Sequence, residues 1–216
     1  MRRKDRINNF HRLLAEGEGR LSPGYRLSGW SSFDSQLSRF EALIRNSSFK
    51  GGRVLDYGCG AGDLFPFLRS LPYDFSYIGV DQNSSMIDIA SNRHGDHFRL
   101  IEIDSIDIPE VDYIFSSGIF QFIDNDYPNY YENIIKTLFD KCDVCSAFNV
   151  LSSHRSQENK MDEELYFSRD EVLSMISSIS PFWTIDHSYH VGQGDMTFSL
   201  HKSKSDFVWK RPENGE

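Results

Sequence analysis

The 216-residue chain is long enough for one well-cored α/β domain and too short for two. Its net charge of -9 and isoelectric point near 5.2 run against a broad nucleic-acid footprint, which draws on clustered Lys and Arg. The only basic cluster, Met1 to Arg6, lacks the apolar stretch of a signal peptide and no later run is apolar enough to span a bilayer, so a cytoplasmic protein with no membrane association is expected.

Residues 1–50 read as an N-terminal helical extension. Phe33, Leu37, Phe40, Leu43 and Ile44 recur at helical spacing, with Ser32 or Asp34 placed to cap the helix. Two roles fit this helix: a plain cover on a sheet edge, or a lid that carries Trp30, Gln36 and Arg39 to a substrate. From Arg53 onward, strands are expected at 53–57, 76–81, 97–103, 111–116 and 143–150, and helices near 62–70, 84–92 and 128–140. Strands that alternate with helices imply a parallel, doubly wound sheet with right-handed crossovers. A helix at 168–178 opens with Ser168 and Glu171 as a capping box. Strands at 183–190 and 195–201 follow, and the short Val191 to Gly194 connection makes them an antiparallel hairpin. The fold expected is thus α/β, with a mostly parallel seven-stranded sheet over 51–202 and a tail at 203–216.

Three cysteines, an odd number, suit a reducing compartment. Cys142 and Cys145 form a C-x-x-C pair, but no second Cys pair or His partners are spaced to complete a zinc site, and no metal is expected.

The chemistry concentrates in Val54-Leu55-Asp56-Tyr57-Gly58-Cys59-Gly60-Ala61-Gly62-Asp63, a carboxylate and three glycines between a strand and a helix. Glycines let such a loop turn sharply and bring backbone against a ligand, while the N–H groups of the next helix favour an anionic group. About 20 residues on, Ser76 to Asp81 reads as a buried strand ending in a carboxylate, where a ribose-binding acid belongs. Asp81 can take both ribose hydroxyls, Asn83 or Ser84 can cap the next helix, and Met86 can lie over an adenine. Dinucleotide-binding dehydrogenases typically carry G-x-G-x-x-G, whereas this motif is acid-x-G-x-G-x-G.

That motif, with Asp81 and the residues after it, resembles class I S-adenosylmethionine-dependent methyltransferases over roughly residues 50–150. The resemblance implies a Rossmann-like fold, S-adenosylmethionine as cofactor and S-adenosylhomocysteine as product. It assigns Asp56 to the methionine ammonium, the N–H groups of Gly58 and Gly60 to the amino-acid tail, and Asp81 to the ribose. Cys59, Gly62, Gln82 and Met86 fall in the same cofactor segments. Asp104 and Ser105 would meet the adenine, and Ser117 and Gly118 the transferring methyl.

Methyl transfer needs a base only when the acceptor must lose a proton; His154 follows the fifth strand and His187 and His190 fall on the sixth, from where all three can approach the ligand side. Phe120, Phe122, Tyr166 and Trp183 can wall an acceptor pocket, Asn149 can orient the acceptor, and Arg155 can hold an anionic one. The polar stretch 151–167 follows a strand's carboxyl end, where open α/β sheets bind ligands. The expected activity is methylation of an oxygen or nitrogen of a small molecule, without a nucleic-acid partner. A nicotinamide-dependent oxidoreductase and a non-catalytic module on the same fold are the alternatives, and the oligomeric state is open.

Overall fold

The structure, a computed structural model, describes residues 9–10, 22–102, 105, 107–122, 128–155, 164–189 and 194–204. Its elements in chain order are α1 (Gly24–Leu27), α2 (Phe33–Ser47), β1 (Gly52–Tyr57), α3 (Leu64–Arg69), β2 (Phe75–Asp81), α4 (Ser84–His94), β3 (Phe98–Leu100), β4 (Val111–Ser116), α5 (Asn129–Asp140), β5 (Cys142–Ser152), β6 (Tyr166–Phe167), α6 (Arg169–Ile176), β7 (Trp183–Asp186) and β8 (Asp195–His201).

The strands run β3-β2-β1-β4-β5-β8-β7, parallel except for β8, which lies antiparallel between β5 and β7. An eighth strand joins the seven expected: β6 is two residues long, too short to show alternation, and pairs with Leu151 and Ser152 at the end of β5. Successive strands step one way from β1 to β3 and the other way from β4, so the order reverses between β1 and β4. Open α/β sheets bind ligands at such a switch point, outside the carboxyl ends of the strands.

Side chains alternate across the pleat and build a core on each face. Val54, Tyr77, Tyr113, Phe115, Cys145 and Ala147 pack with α2, α3 and α4, while Leu55, Tyr57, Ile114, Phe148, Val150 and Phe198 pack with α5 and α6. Cys142 belongs to the second core and Cys145 to the first, so the C-x-x-C pair is split across the sheet. Among the described residues no group of His, Cys, Asp and Glu is placed to hold a metal, and no helix is long and apolar enough to cross a membrane.

The ends of the elements follow local chemistry. Ser32 caps α2 by accepting the Ser35 N–H at 3.1 Å, and α6 has the capping box of Ser168 and Glu171. β7 stops at Asp186 rather than 190, because the Asp186 carboxylate takes the Ser188 N–H at 2.8 Å and the Ser188 hydroxyl at 2.6 Å, an Asx turn that ends pairing.

α2 covers β5, β8 and β7. Its buried side is rotated from the apolar stripe: Phe33 is exposed, whereas Ser35, Gln36 and Arg39 are buried with Phe40 and Leu43. Arg39, 3% exposed, forms an ion pair with the buried Asp195 of β8 and stacks 4.1 Å from the centroid of the Trp30 ring. Burial pulls the Arg39 guanidinium below its usual range and the Asp195 charge pulls it back. Arg45 adds a half-exposed pair with Asp186. These pairs tie α2 to the sheet, and its first half, with Gln36, Arg39 and Phe40, reaches the ligand side.

Removing one partner of a buried pair strands the other charge. Arg39→Met is therefore expected to cost about 3–5 kcal/mol in urea unfolding, and Arg39→Met with Asp195→Leu to regain most of it. Equal losses in the single and double variants would contradict this role for the pair.

Candidate functional site

The end of β2 organises the glycine loop. The Val80 carbonyl accepts the N–H groups of Gly58 at 2.8 Å and Cys59 at 3.0 Å, and Asp81 Oδ2 accepts the Gly60 N–H at 2.9 Å. Asp81 Oδ1 takes the Asn83 N–H at 2.9 Å, and Asn83 in turn caps α4 by accepting from Ser85 and Met86 at 3.0 and 3.2 Å. The expectation that the Gly58 and Gly60 N–H groups face a ligand is thus corrected, since both are committed to β2. Gly58 has φ 82°, and a Cβ there would lie 2.2 Å from the Ile119 side chain, so the loop passes Ile119 only as glycine. α3, six residues long, starts by donating the Phe65 N–H to the Gly62 carbonyl.

Asp56 ends the buried part of β1 and is 3% exposed. Burial pushes its carboxyl up to about 7; the 2.6 Å hydrogen bond from the Tyr77 hydroxyl opposes this, and the charges of Asp81 and Asp63 add to it. Tyr77 pairs with Val54, two residues before Asp56 and on the same face, which is how it reaches the carboxyl.

Most of these residues line an open cleft at the carboxyl ends of β1, β2 and β4. The floor is Asp56 to Gly60, Asp81 and Gln82 form one wall, and Ser117 to Ile119 form the other. Trp30, Gln36 and Phe40 close it from the N-terminal side. Gln36 donates to Asp63 Oδ2 at 2.9 Å, tying α2 to the glycine loop. At Gly118, φ is 79° and a Cβ would lie 2.8 Å from the Trp30 indole, so glycine lets the ring close down on the loop after β4. A second, much smaller cavity, lined by Trp30, Arg39, Gly118, Gln121, Asn149 and Asp195 among others, shares Trp30, Gly118 and Gln121 with the cleft.

Of the residues expected at a cofactor site, Asp56, Gly58, Cys59, Gly60, Asp81, Gln82, Ser117 and Gly118 line the cleft. Gly62 does not: it faces the Phe98 ring, 2.7 Å from where its Cβ would be, and serves packing. Met86 is fully buried with Leu27, Ala61 and Ile89, and does not line the cleft as an adenine platform would. The Ser105 hydroxyl accepts the Asp107 N–H at 3.1 Å and borders a separate groove against α5, while Asp104 lies outside the described residues.

Among the expected acceptor residues, Trp30 and Gln36 line the cleft, and Trp30, Arg39 and Asn149 the smaller cavity. Phe120 packs in the core on Tyr131 and Phe148, as volume and burial dictate for an aromatic after a central strand. Tyr166 pairs with Glu164, and neither it nor Arg155 borders either cavity. Trp183 lies at the start of β7, packed against the core. His154 is exposed with its ring centroid 5.7 Å from that of His187; neither lines the two cavities, and His187 follows β7, the sheet's outer strand. His190 and residues 156–163 of the expected loop lie outside the described residues.

Phe122, expected to wall a pocket, lines the cleft, while Tyr77, Asp63, Ser28 and Gln121 are cleft or supporting residues that patterning did not mark. Only Asp63 carried a signal, as the acid after the last glycine of the motif.

Two features fit S-adenosylmethionine. The floor is a glycine cradle whose shape a Cβ would change, and the side-chain O and N of Gln82 with the Ser117 hydroxyl are buried without hydrogen-bond partners among the described residues. Asp81 keeps lone pairs beyond the two backbone bonds it accepts.

With its folded value about 7 against an ordinary 3.8, Asp56 binds more protons in the folded chain between those limits. Its contribution to stability is therefore full below the lower value and lost as pH rises through the upper one. Asp56→Asn is expected to stabilise the ligand-free protein by about 1–3 kcal/mol at pH 8, with the gain shrinking toward pH 4. Urea unfolding across that range checks it, and a gain independent of pH would contradict the shift.

Comparison with known proteins agrees with this geometry. Residues 54–141 match the family model described as a methyltransferase domain. No curated protein matches the chain in sequence. Among solved structures, the DhpI complex with S-adenosylhomocysteine is 14% identical over 91% of this chain and 94% of its own, with a TM-score of 0.62. Magnesium protoporphyrin IX methyltransferase from Synechocystis PCC 6803 with bound S-adenosylmethionine is 13% identical over 94% and 98%, with a TM-score of 0.61. The small RNA methyltransferase HEN1 is 14% identical over 79% of this chain and 25% of its own, with a TM-score of 0.55. At these identities the structures share the fold alone. Residues 54–141 carry a methyltransferase domain, and the chain has the fold of S-adenosylmethionine-dependent methyltransferases.

Proposed function

We propose that the protein methylates an oxygen or nitrogen of a small-molecule acceptor in the cytoplasm. The observation that carries this reading is the small polar recess that meets the cofactor cleft at Trp30, Gly118 and Gln121. The net charge of -9 weighs against a nucleic-acid acceptor, and three free, buried cysteines accord with a reducing compartment.

In this reading Asp56 holds the ammonium of the amino-acid tail, directly or through water. Asp81 accepts the ribose hydroxyls with its remaining lone pairs, and Gln82 offers its unpartnered amide beside them. When bound, S-adenosylmethionine supplies an electrophilic methyl whose sulfur leaves as a neutral thioether. The chain's own part is positional: Ser117 and Gly118 border the place where the two cavities meet, and Trp30 covers it against water. Excluding water and aligning the acceptor account for much of such a rate enhancement, and the leaving group needs no acid. His154 and His187 are not assigned to base catalysis, since neither borders a cavity.

Calorimetry is expected to give binding of S-adenosylmethionine and S-adenosylhomocysteine but not NAD, and binding of NAD alone would sink this reading. Asp81→Ala should weaken S-adenosylhomocysteine binding by about 2–4 kcal/mol through loss of charge-assisted bonds. It should also cost stability, because the Gly60 and Asn83 N–H groups lose their acceptor. A folded variant with wild-type affinity would remove Asp81 from the site.

A further inference from the structure

β5 ends beside the junction of the two cavities with a polar side chain that core packing does not explain. Asn149 is 3% exposed, and its Oδ1 accepts the Gly118 N–H at 3.2 Å. That bond fixes the amide's orientation, since only the oxygen can accept from an N–H. Nδ2 is then left buried, with no hydrogen-bond partner among the described residues. A buried donor without an acceptor is costly, and a group in the cavity that Asn149 lines can offset the cost. On the other side of Gly118, the Ser117 hydroxyl is likewise buried and unpartnered, and Ser117 lines the cofactor cleft. Two unused donors therefore flank the residue shared by both cavities.

We propose that Asn149 Nδ2 donates a hydrogen bond to the reacting atom of the methyl acceptor, and that this atom is an oxygen of a phenol or carboxylic acid. The inference rests on the methyltransferase reading of the cleft and narrows its acceptor. An amine nitrogen has one lone pair, so a nitrogen that accepted from Nδ2 would have none left for the methyl carbon. An oxygen keeps a second pair after accepting. One oxygen pair forms the new C–O bond as the methyl–sulfur bond breaks, and the electrons of the broken bond leave on sulfur. A carboxylate or phenolate has no proton to lose, and a neutral phenol passes its proton to water at the open mouth of the cleft. Asp195, which lines the same cavity, is neutralised by Arg39 and does not exclude an anionic oxygen.

Asn149→Asp tests the assignment because it keeps an oxygen for the Gly118 N–H and replaces the free donor with an acceptor. Asn149→Ala removes the donor without adding charge, together with the acceptor of the Gly118 N–H, so its S-adenosylhomocysteine affinity also reports whether the loop after β4 keeps its place. The full chain is assayed with S-adenosylmethionine against matched panels of small phenols and benzoic acids, and of anilines and benzylamines, by release of S-adenosylhomocysteine. Wild type is expected to turn over oxygen acceptors in preference to amines. Both variants should lose about 100-fold in kcat/KM on the oxygen panel, while their calorimetric affinity for S-adenosylhomocysteine stays within about 3-fold of wild type. A preference for amines, retained oxygen turnover in both variants, or S-adenosylhomocysteine binding with no turnover of the oxygen panel would overturn the inference and leave the methyltransferase reading intact. Failure of wild type to bind S-adenosylhomocysteine would remove both.

Discussion

The site depends on one carboxylate at the end of β2. Asp81 receives the Gly60 N–H on one oxygen and the Asn83 N–H on the other, each at 2.9 Å, so a single side chain joins the glycine loop after β1 to the start of α4. The neighbouring Val80 carbonyl takes the Gly58 and Cys59 N–H groups and holds the rest of the turn. Glycine loops lose much conformational entropy on ordering. Here that loss is met by the fold itself, so the cradle is formed before a ligand arrives and binding need not order it.

Around this fixed floor the N-terminal segment supplies the cover. Gln36 reaches Asp63, Trp30 lies over Gly118, and Arg39 ties both to the sheet through Asp195. Cofactor wall and acceptor cavity thus share a helix that the sheet edge needs for its own packing. The acids of the cleft pull the other way. Asp56 is buried at a cost, with Asp81 and Asp63 adding to it, and a cationic ligand group would relieve that repulsion. Stability is given up locally so that a positive charge is welcome there, a common arrangement at functional sites.

Much of this was legible before any coordinates. β1, β2 and β4 each hold a short apolar run, and in the first two it is followed by an acid, Asp56 and Asp81, that a core does not tolerate without purpose. The capping residues Ser32, Asn83 and Ser168 were readable for the same local reason. Helical phase marks Met86 as core, since Met86, Ile89 and Ala90 share the buried face of α4. What sequence could not carry is lateral placement. His187 does follow a strand, but whether β7 lies next to β1 or at the far edge is decided by sheet order, and the outer position keeps it from both cavities. Gln36 and Asp63 lie 27 residues apart and meet only because α2 docks across the sheet. Likewise the spacing that marked the loop glycines does not reveal whether their N–H groups turn to a ligand or to β2.

The most direct test of a cleft held open by Asp81 is a crystal structure of the protein with S-adenosylhomocysteine. The account predicts the ribose hydroxyls on the Asp81 carboxylate and the thioether sulfur beside Ser117 and Gly118, with the 2.9 Å bond from Gly60 to Asp81 still in place. A ligand seated elsewhere, or a glycine loop that releases Asp81 in order to bind it, would contradict the account.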